Sequence, residues 1–239
     1  MAAAPEVEAL LFDVFGTVVD WRGSIERLGR DFAGRQGLPA LDWAAFADAW
    51  RARYQPAMAA VREGRRPFVR LDILHRENLE AILPDFGLDR LDGAARAELT
   101  LFWHRLDPWP DSVPGMTRLK RRHILAAQSN GNIALIVDMA RHGGLPWDVV
   151  LGAEVVGHYK PEPAAYLGAC AALDRAPGRC LMVAAHNDDL AAAAACGLRT
   201  AFVRRPAEKA PGETADLAPS GDWDLVVDSL EKLAERLGC

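Results

Sequence analysis

A short apolar run, Ala9-Leu10-Leu11-Phe12, ends at Asp13 and passes at once into Val14-Phe15-Gly16-Thr17. A carboxylate at the end of a buried strand is costly unless it is hydrogen-bonded or used. Used as a nucleophile, it attacks carbon or phosphorus and leaves an ester intermediate. The residue two places on bears on the choice of target, and here it is Phe15 rather than a second carboxylate. Three other segments carry chemistry-bearing side chains. In Gln128-Ser129-Asn130-Gly131, Ser129 can donate to an anion, as can the N–H groups opening the next helix, or it can simply cap that helix. In Tyr159-Lys160-Pro161, the proline holds Lys160 on extended backbone, where it either brings positive charge to Asp13 or is solvated. In Val183 to Leu190, Asp188 and Asp189 are either acids at a helix N-terminus or a functional cluster.

The elements that must position these residues follow from periodicity. The first strand covers about 8–13. A helical region then runs over about 21–106, with 3.6-residue patterns at 22–36, 43–61, 71–83 and 94–106, interrupted by Gly and Pro signals. Four such helices make a small bundle. Beyond Pro108 and Pro110, short apolar runs at 123–128, 148–152, 180–185, 200–203 and 225–227 alternate with helical segments at 133–142, 162–173, 190–196 and 229–237. Alternation of this kind implies a parallel sheet covered by helices on both faces. The expected architecture is α/β: a Rossmann-like core of residues 1–20 and 107–239, with a helical-bundle cap, 21–106, inserted after the first strand. Ligands in such sheets bind beyond the carboxyl ends of the strands. Asp13, Ser129 and the 184–189 turn all lie there, under a cap that can exclude water. Residues 209–220, rich in Pro, Gly and charge, read as an exposed loop.

Taken together, DVFGT, SNG, KP and an Asp after a later strand, in that order and on those elements, resemble the haloacid dehalogenase superfamily over nearly the whole chain. Most members of that superfamily are magnesium-dependent phosphatases with a second Asp in the first motif and further acids in the fourth. This sequence departs from them at Phe15 and at Ala185. A phenyl ring cannot act as a general acid, and Mg²⁺ needs hard oxygen ligands. The pattern is instead similar to the L-2-haloacid dehalogenase branch. That resemblance implies metal-independent, cofactor-free hydrolysis of short (S)-2-haloalkanoic acids, haloacetates included, to (R)-2-hydroxy acids with inversion through an aspartyl ester. It assigns Asp13 as nucleophile, Thr17 as its supporting hydroxyl, and Lys160 as its cationic partner. Ser129 and Asn130 match contacts to the substrate carboxylate and halide, Tyr166 lines the site, and Asp189 orients Lys160 or the hydrolytic water. Phe15 is an apolar wall. Arg62 and Arg22 are the two candidates for the cap arginine that holds halide or carboxylate. His186 stands where the family has an Asn, and either positions water or halide or makes a structural bond. The alternatives are a phosphatase on the same fold, using Asp13, Asp188 and Asp189, and a non-catalytic member that binds a small anion or a partner.

Composition sets the bounds. The 239 residues are 50% hydrophobic and 26% charged, with a net charge of −5, an ordinary globular balance with room for a full core. No basic block suggests nucleic acid. No stretch approaches the length of a membrane span, and the N-terminal residues lack a basic signal region. The four cysteines, with no CxxC spacing, read as buried thiols of a cytoplasmic protein. Family members are often homodimers, and exposed apolar residues such as Trp103 and Trp109 are compatible with that.

Overall fold

Strand β1 (Ala9–Phe12) is wholly buried, and every other element is arranged around it. A computed structural model describes residues 6–210 and 212–239. In it β1 lies between β4 (Ile124–Ser129) and β6 (Cys180–Ala184), parallel to both. Strands β5 (Val149–Gly152), β7 (Arg199–Val203) and β8 (Leu225–Val227) extend the sheet in the order β5-β4-β1-β6-β7-β8. The chain order reverses at β1, so the crevice beyond its carboxyl end is the place where such a sheet takes a ligand. Helices α6 (Ser112–Leu119), α7 (Ile133–Gly143), α8 (Pro163–Ala172), α9 (Asn187–Ala195) and α10 (Leu230–Arg236) accompany the strands. They bury apolar groups in two clusters, one on each side of the sheet.

After β1 the chain crosses a two-stranded neck. β2 (Val19–Asp20) pairs antiparallel with β3 (Asp107–Pro108). Between them lie α1 (Trp21–Gln36), α2 (Trp43–Ala52), α3 (Tyr54–Arg62), α4 (Leu71–Ile82), α5 (Gly93–Thr100) and two short 3-10 turns. The caps are those the sequence supplies. Asp20, Asp42 and Asp92 each accept from the backbone N–H three residues on, which satisfies donors the helix itself cannot.

Two expectations are corrected. The helix over 43–61 is two helices, α2 and α3, meeting at Arg53. Pro56 explains the break: it has no N–H to give Ala52, and its ring crowds that carbonyl. Trp103 is not exposed but 1% accessible, stacked on His75 at 4.3 Å between ring centroids. Trp109 is half-buried, its indole N–H donating to the Gly16 carbonyl.

The helical block is tied to the sheet at a polar junction. Asn132 donates to Asp72 Oδ2 and accepts from the Asp72 N–H, at 2.8 and 3.1 Å. His104 bridges Asp72 and Asp138 at 3.1 and 2.9 Å. Burial works against its charged form, but the two carboxylates raise its pKa above the ordinary 6.5. A group raised on folding contributes stability that is complete below its unfolded pKa and lost as pH rises through the folded one. Chemical denaturation across this range should therefore show the midpoint falling above pH 6.5. In His104→Phe that slope should disappear.

Candidate active site

The turn after β1 returns a hydroxyl to the carboxylate it follows. Val18 and Val19 N–H both donate to the Val14 carbonyl, and Gly16 takes φ +84°, a backbone conformation open to glycine at little cost. Thr17 Oγ1 is thereby brought 2.8 Å from Asp13 Oδ2. It also accepts from the Ala185 N–H, at 2.9 Å, so its single proton is committed to Asp13.

Lys160 Nζ lies between two carboxylates, 2.9 Å from Asp13 Oδ1 and 2.5 Å from Asp189 Oδ2. All three residues are less than a tenth exposed. Asn130 Oδ1 accepts from the Lys160 backbone N–H at 2.7 Å and so fixes where the side chain starts. Tyr166 donates to Asp189 Oδ1 at 2.5 Å. Burial alone would push the Asp13 carboxyl up, but Lys160 and His186 overcome it and hold the carboxyl far below its usual range. Burial would lower Lys160, but Asp13 and Asp189 raise it instead. Asp189 is raised, by burial and by the charge of Asp13, despite Lys160. Asp13 is thus an anion stripped of water, which suits a nucleophile.

Above this group is a cavity of about 350 Å³. Phe15, Trp21 and Tyr54 give it an aromatic wall, and Asp13, Asn130, Lys160, Tyr166, His186 and Asp189 give it a polar floor. Phe15 is braced edge-on by Trp103 and Tyr54, at 5.7 and 6.4 Å between centroids. Ser129 is near but not in this cavity. Its hydroxyl accepts from the Gly131 N–H at 3.0 Å, and the residue lines a small adjoining space of about 10 Å³ with Asn130 and Lys160.

Neither arginine singled out from the sequence lines the cavity. Arg22 makes a two-pronged pair with Asp48, at 2.7 and 2.8 Å. Arg62 reaches the Lys160 carbonyl at 3.4 Å and Gln55 at 3.3 Å. The cavity arginine is Arg51, at the end of α2. Its guanidinium lies 4.1 Å from the Tyr54 ring centroid and 5.5 Å from that of Trp21. Its Nη1 is buried with no hydrogen-bond partner among the described residues. A cation so placed is a receptor for an anion. Its one legible signal was an Arg three residues before Tyr54 on an aromatic helix face.

The loop after β7 is largely exposed, as its composition implies, yet part of it faces the cavity. Lys209, Ala210, Glu213 and Asp216, from a segment read as exposed, line the cavity mouth, and Glu208 beside them reaches its floor. The loop is pinned by Lys209 to Asp216 at 3.0 Å and by the Asn187 N–H to Asp216 at 3.0 Å. The residues that face the cavity are mostly polar, so no hydrophobic pattern announces them. His186, at the start of α9, has one ring nitrogen 3.1 Å from Asp13 Oδ2 and the other 2.9 Å from Glu208. Among the described residues no three His, Cys, Asp or Glu side chains converge to hold a metal ion. The space between Asp13 and Asp189 is taken by the Lys160 ammonium.

The chain resembles known proteins along almost its full length. The crystal structure of a defluorinating L-2-haloacid dehalogenase superposes with a TM-score of 0.95 at 49% identity, covering 100% of this chain and 99% of that one. (S)-2-haloacid dehalogenase 1 of Pseudomonas sp. (strain CBS-3) is 28% identical over 83% of this chain and 85% of that protein. Hexitol phosphatase A of Escherichia coli (strain K12) is 31% identical over 95% of this chain and 93% of that protein. The family model for haloacid dehalogenase-like hydrolases matches residues 7–197. With its buried carboxylate at the end of β1, its inserted helices and its Lys160-bridged carboxylates, the chain belongs to the haloacid dehalogenase-like hydrolases.

Proposed function

We propose that this protein hydrolyses short (S)-2-haloalkanoic acids to (R)-2-hydroxy acids by way of an ester on Asp13. The observation that carries the reading is Asp13 itself: a buried anion paired to Lys160, beside a phenyl ring and beneath a cavity with an unpaired arginine. Its water-stripped carboxylate attacks the halogen-bearing carbon from the face opposite the halogen, and configuration inverts. Arg51 receives the departing halide or the substrate carboxylate, with Asn130 lining the same cavity. Asp189, held by Tyr166, keeps Lys160 in place. Water then opens the ester. The 49%-identical relative is a defluorinating L-2-haloacid dehalogenase, which supports this chemistry, and the substrate range proposed includes haloacetates.

The likeness to a hexitol phosphatase keeps phosphoryl transfer as the second reading. Phe15 cannot protonate a leaving alkoxide, and Ala185 offers no oxygen ligand. Residues 21–106 serve as the cap, with Asp72, Asn132 and His104 fastening it. We place the protein in the cytoplasm as a homodimer, without nucleic-acid or membrane partners. The exposed apolar side chains of Ile73, Leu101, Ile133 and Val137, where α4, the 101–105 turn and α7 meet, are the surface proposed for pairing.

Halide release from both enantiomers of 2-chloropropionate, chloroacetate and fluoroacetate is the decisive assay. Activity should favour the (S)-enantiomer, give the inverted product and survive EDTA. Loss of activity in EDTA, or phosphate release without halide release, would favour the second reading. Asp13→Asn should abolish halide release, and retained activity in that variant would exclude the ester route. Arg51→Leu should lower kcat/KM about 10²-fold or more, the cost of losing one donor to developing charge, with Arg51→Lys recovering part of it.

A further inference from the structure

His186 is flanked by acceptors on both sides. Its Nδ1 lies 3.1 Å from Asp13 Oδ2, and its Nε2 lies 2.9 and 3.1 Å from the two Glu208 oxygens. Ionised carboxylates only accept hydrogen bonds, so both ring nitrogens must carry protons and the ring is an imidazolium. Glu208 and Asp13 accordingly raise its pKa well above the ordinary value, against the effect of burial.

Glu208 is built into this position. It is 3% exposed and accepts from the Trp21 indole N–H at 3.3 Å. A Cβ on residue 16 would fall 2.2 Å from Glu208 Oε1, so Gly16 leaves the room it occupies. The turn presenting it, closed by the Glu208 N–H to the Arg205 carbonyl, is held down by Arg205. That guanidinium donates to the Thr17 carbonyl at 2.9 Å and pairs with both Asp111 oxygens at 2.8 and 2.9 Å.

The two oxygens of Asp13 are therefore not equivalent. Oδ2 accepts from Thr17 and from His186, which fills its two lone pairs. Oδ1 accepts only from Lys160 among the described residues and keeps one lone pair free. We infer that the Asp13 oxygen beside Lys160 makes the bond to carbon, and that the oxygen beside Thr17 and His186 becomes the ester carbonyl. Those two donors then form an oxyanion hole for ester hydrolysis, and Glu208 is the positioning residue that keeps His186 charged. This rests on the dehalogenation reading.

The steps balance. In the first half-reaction the Oδ1–carbon bond forms, the carbon–halogen bond breaks and halide leaves with the electron pair. Halide departs on the far side of carbon from Oδ1, away from His186. In the second, water oxygen bonds to Asp13 Cγ and the carbonyl pair moves onto Oδ2, where His186 and Thr17 donate to it. The pair then returns and the Cγ–Oδ1 bond breaks. Oδ1 leaves as the product hydroxyl with one water proton, and the other proton passes to solvent. His186 donates throughout and takes up no proton, which is the role of preorganised donors at developing charge.

The test is rapid mixing of Glu208→Gln with (S)-2-chloropropionate beside the wild type. We expect a burst of halide of about one per active site, within about threefold of the wild-type rate. Turnover should then be slowed about tenfold or more, with alkylated Asp13 found by peptide mass spectrometry. His186→Leu should still give a burst of about one halide per active site, with turnover slowed about 10²-fold, more than the burst itself. Besides Asp13 and Glu208, the charged groups around His186 are Lys160, Asp188 and Asp189 at the floor, Arg51 and Lys209 near Glu208, and Glu213 and Asp216 at the mouth. With Glu208 neutral, the imidazolium loses its proton more readily, so turnover of Glu208→Gln should fall as pH rises while the wild type stays level. A burst slowed as much as turnover would overturn the inference. So would turnover of the variant rising with pH, the mark of a neutral imidazole acting as base. Wild-type enzyme that releases no halide would overturn the dehalogenation reading itself, and the inference with it.

Discussion

A buried ammonium between two buried carboxylates holds this site together. Lys160 lies 2.9 Å from Asp13 and 2.5 Å from Asp189. Taking any one of these charges out of water alone would cost several kcal/mol. Each is tolerated because the others, with Tyr166, Thr17 and His186, fill its hydrogen-bonding capacity. The arrangement exists only if three strand ends meet, since the three residues lie on different crossovers. Asp13 follows β1, Lys160 follows β5 and Asp189 follows β6, and the parallel order β5-β4-β1-β6 is what brings them together. The cost of burying charge is thus coupled to fold topology, and a sheet registered otherwise would strand at least one charge unpaired.

The helical block and the loop after β7 complete the environment. The block contributes Trp21 and Tyr54 to the aromatic wall and, with Trp103, braces Phe15. The loop contributes a second anion, Glu208, at the far edge of His186. An apolar wall strengthens the field of the charges it faces, because it withholds the water that would screen them. The site therefore has a graded character. It is dry and charged at Asp13, aromatic around Arg51, and polar at the mouth where Lys209 and Asp216 pair.

The same logic separates this chain from its phosphatase relatives without altering the fold. The chain is 31% identical to a hexitol phosphatase over 95% of its length, so likeness of scaffold does not by itself set the chemistry. Chemistry is set by the residues grafted on it. At Phe15 and Ala185 this chain presents carbon where phosphoryl chemistry wants oxygen.

Much was legible in the sequence because it is local. The run ending at Asp13, the alternation of strands and helices, and the segments carrying Thr17, Asn130, Lys160, Tyr166 and Asp189 are contiguous patterns, and the structure gathers these residues around Asp13. Local patterns could not show which arginine turns inward. Arg51, rather than Arg62 or Arg22, faces the cavity because Pro56 breaks α2 from α3 and the Tyr54 ring meets its guanidinium. Nor could they show that a polar segment beyond β7 closes the mouth, or that Trp103 is core. Glu208 meets His186 and Gly16 only through contacts that span long stretches of chain, set by the Arg205–Asp111 anchor. The sequence by itself determined the carboxylate at the end of β1 and the scaffold that carries it, because strand periodicity and short motifs are encoded by neighbours. Only the tertiary structure decided the charges surrounding Asp13, because burial and pairing depend on residues that are neighbours in space alone.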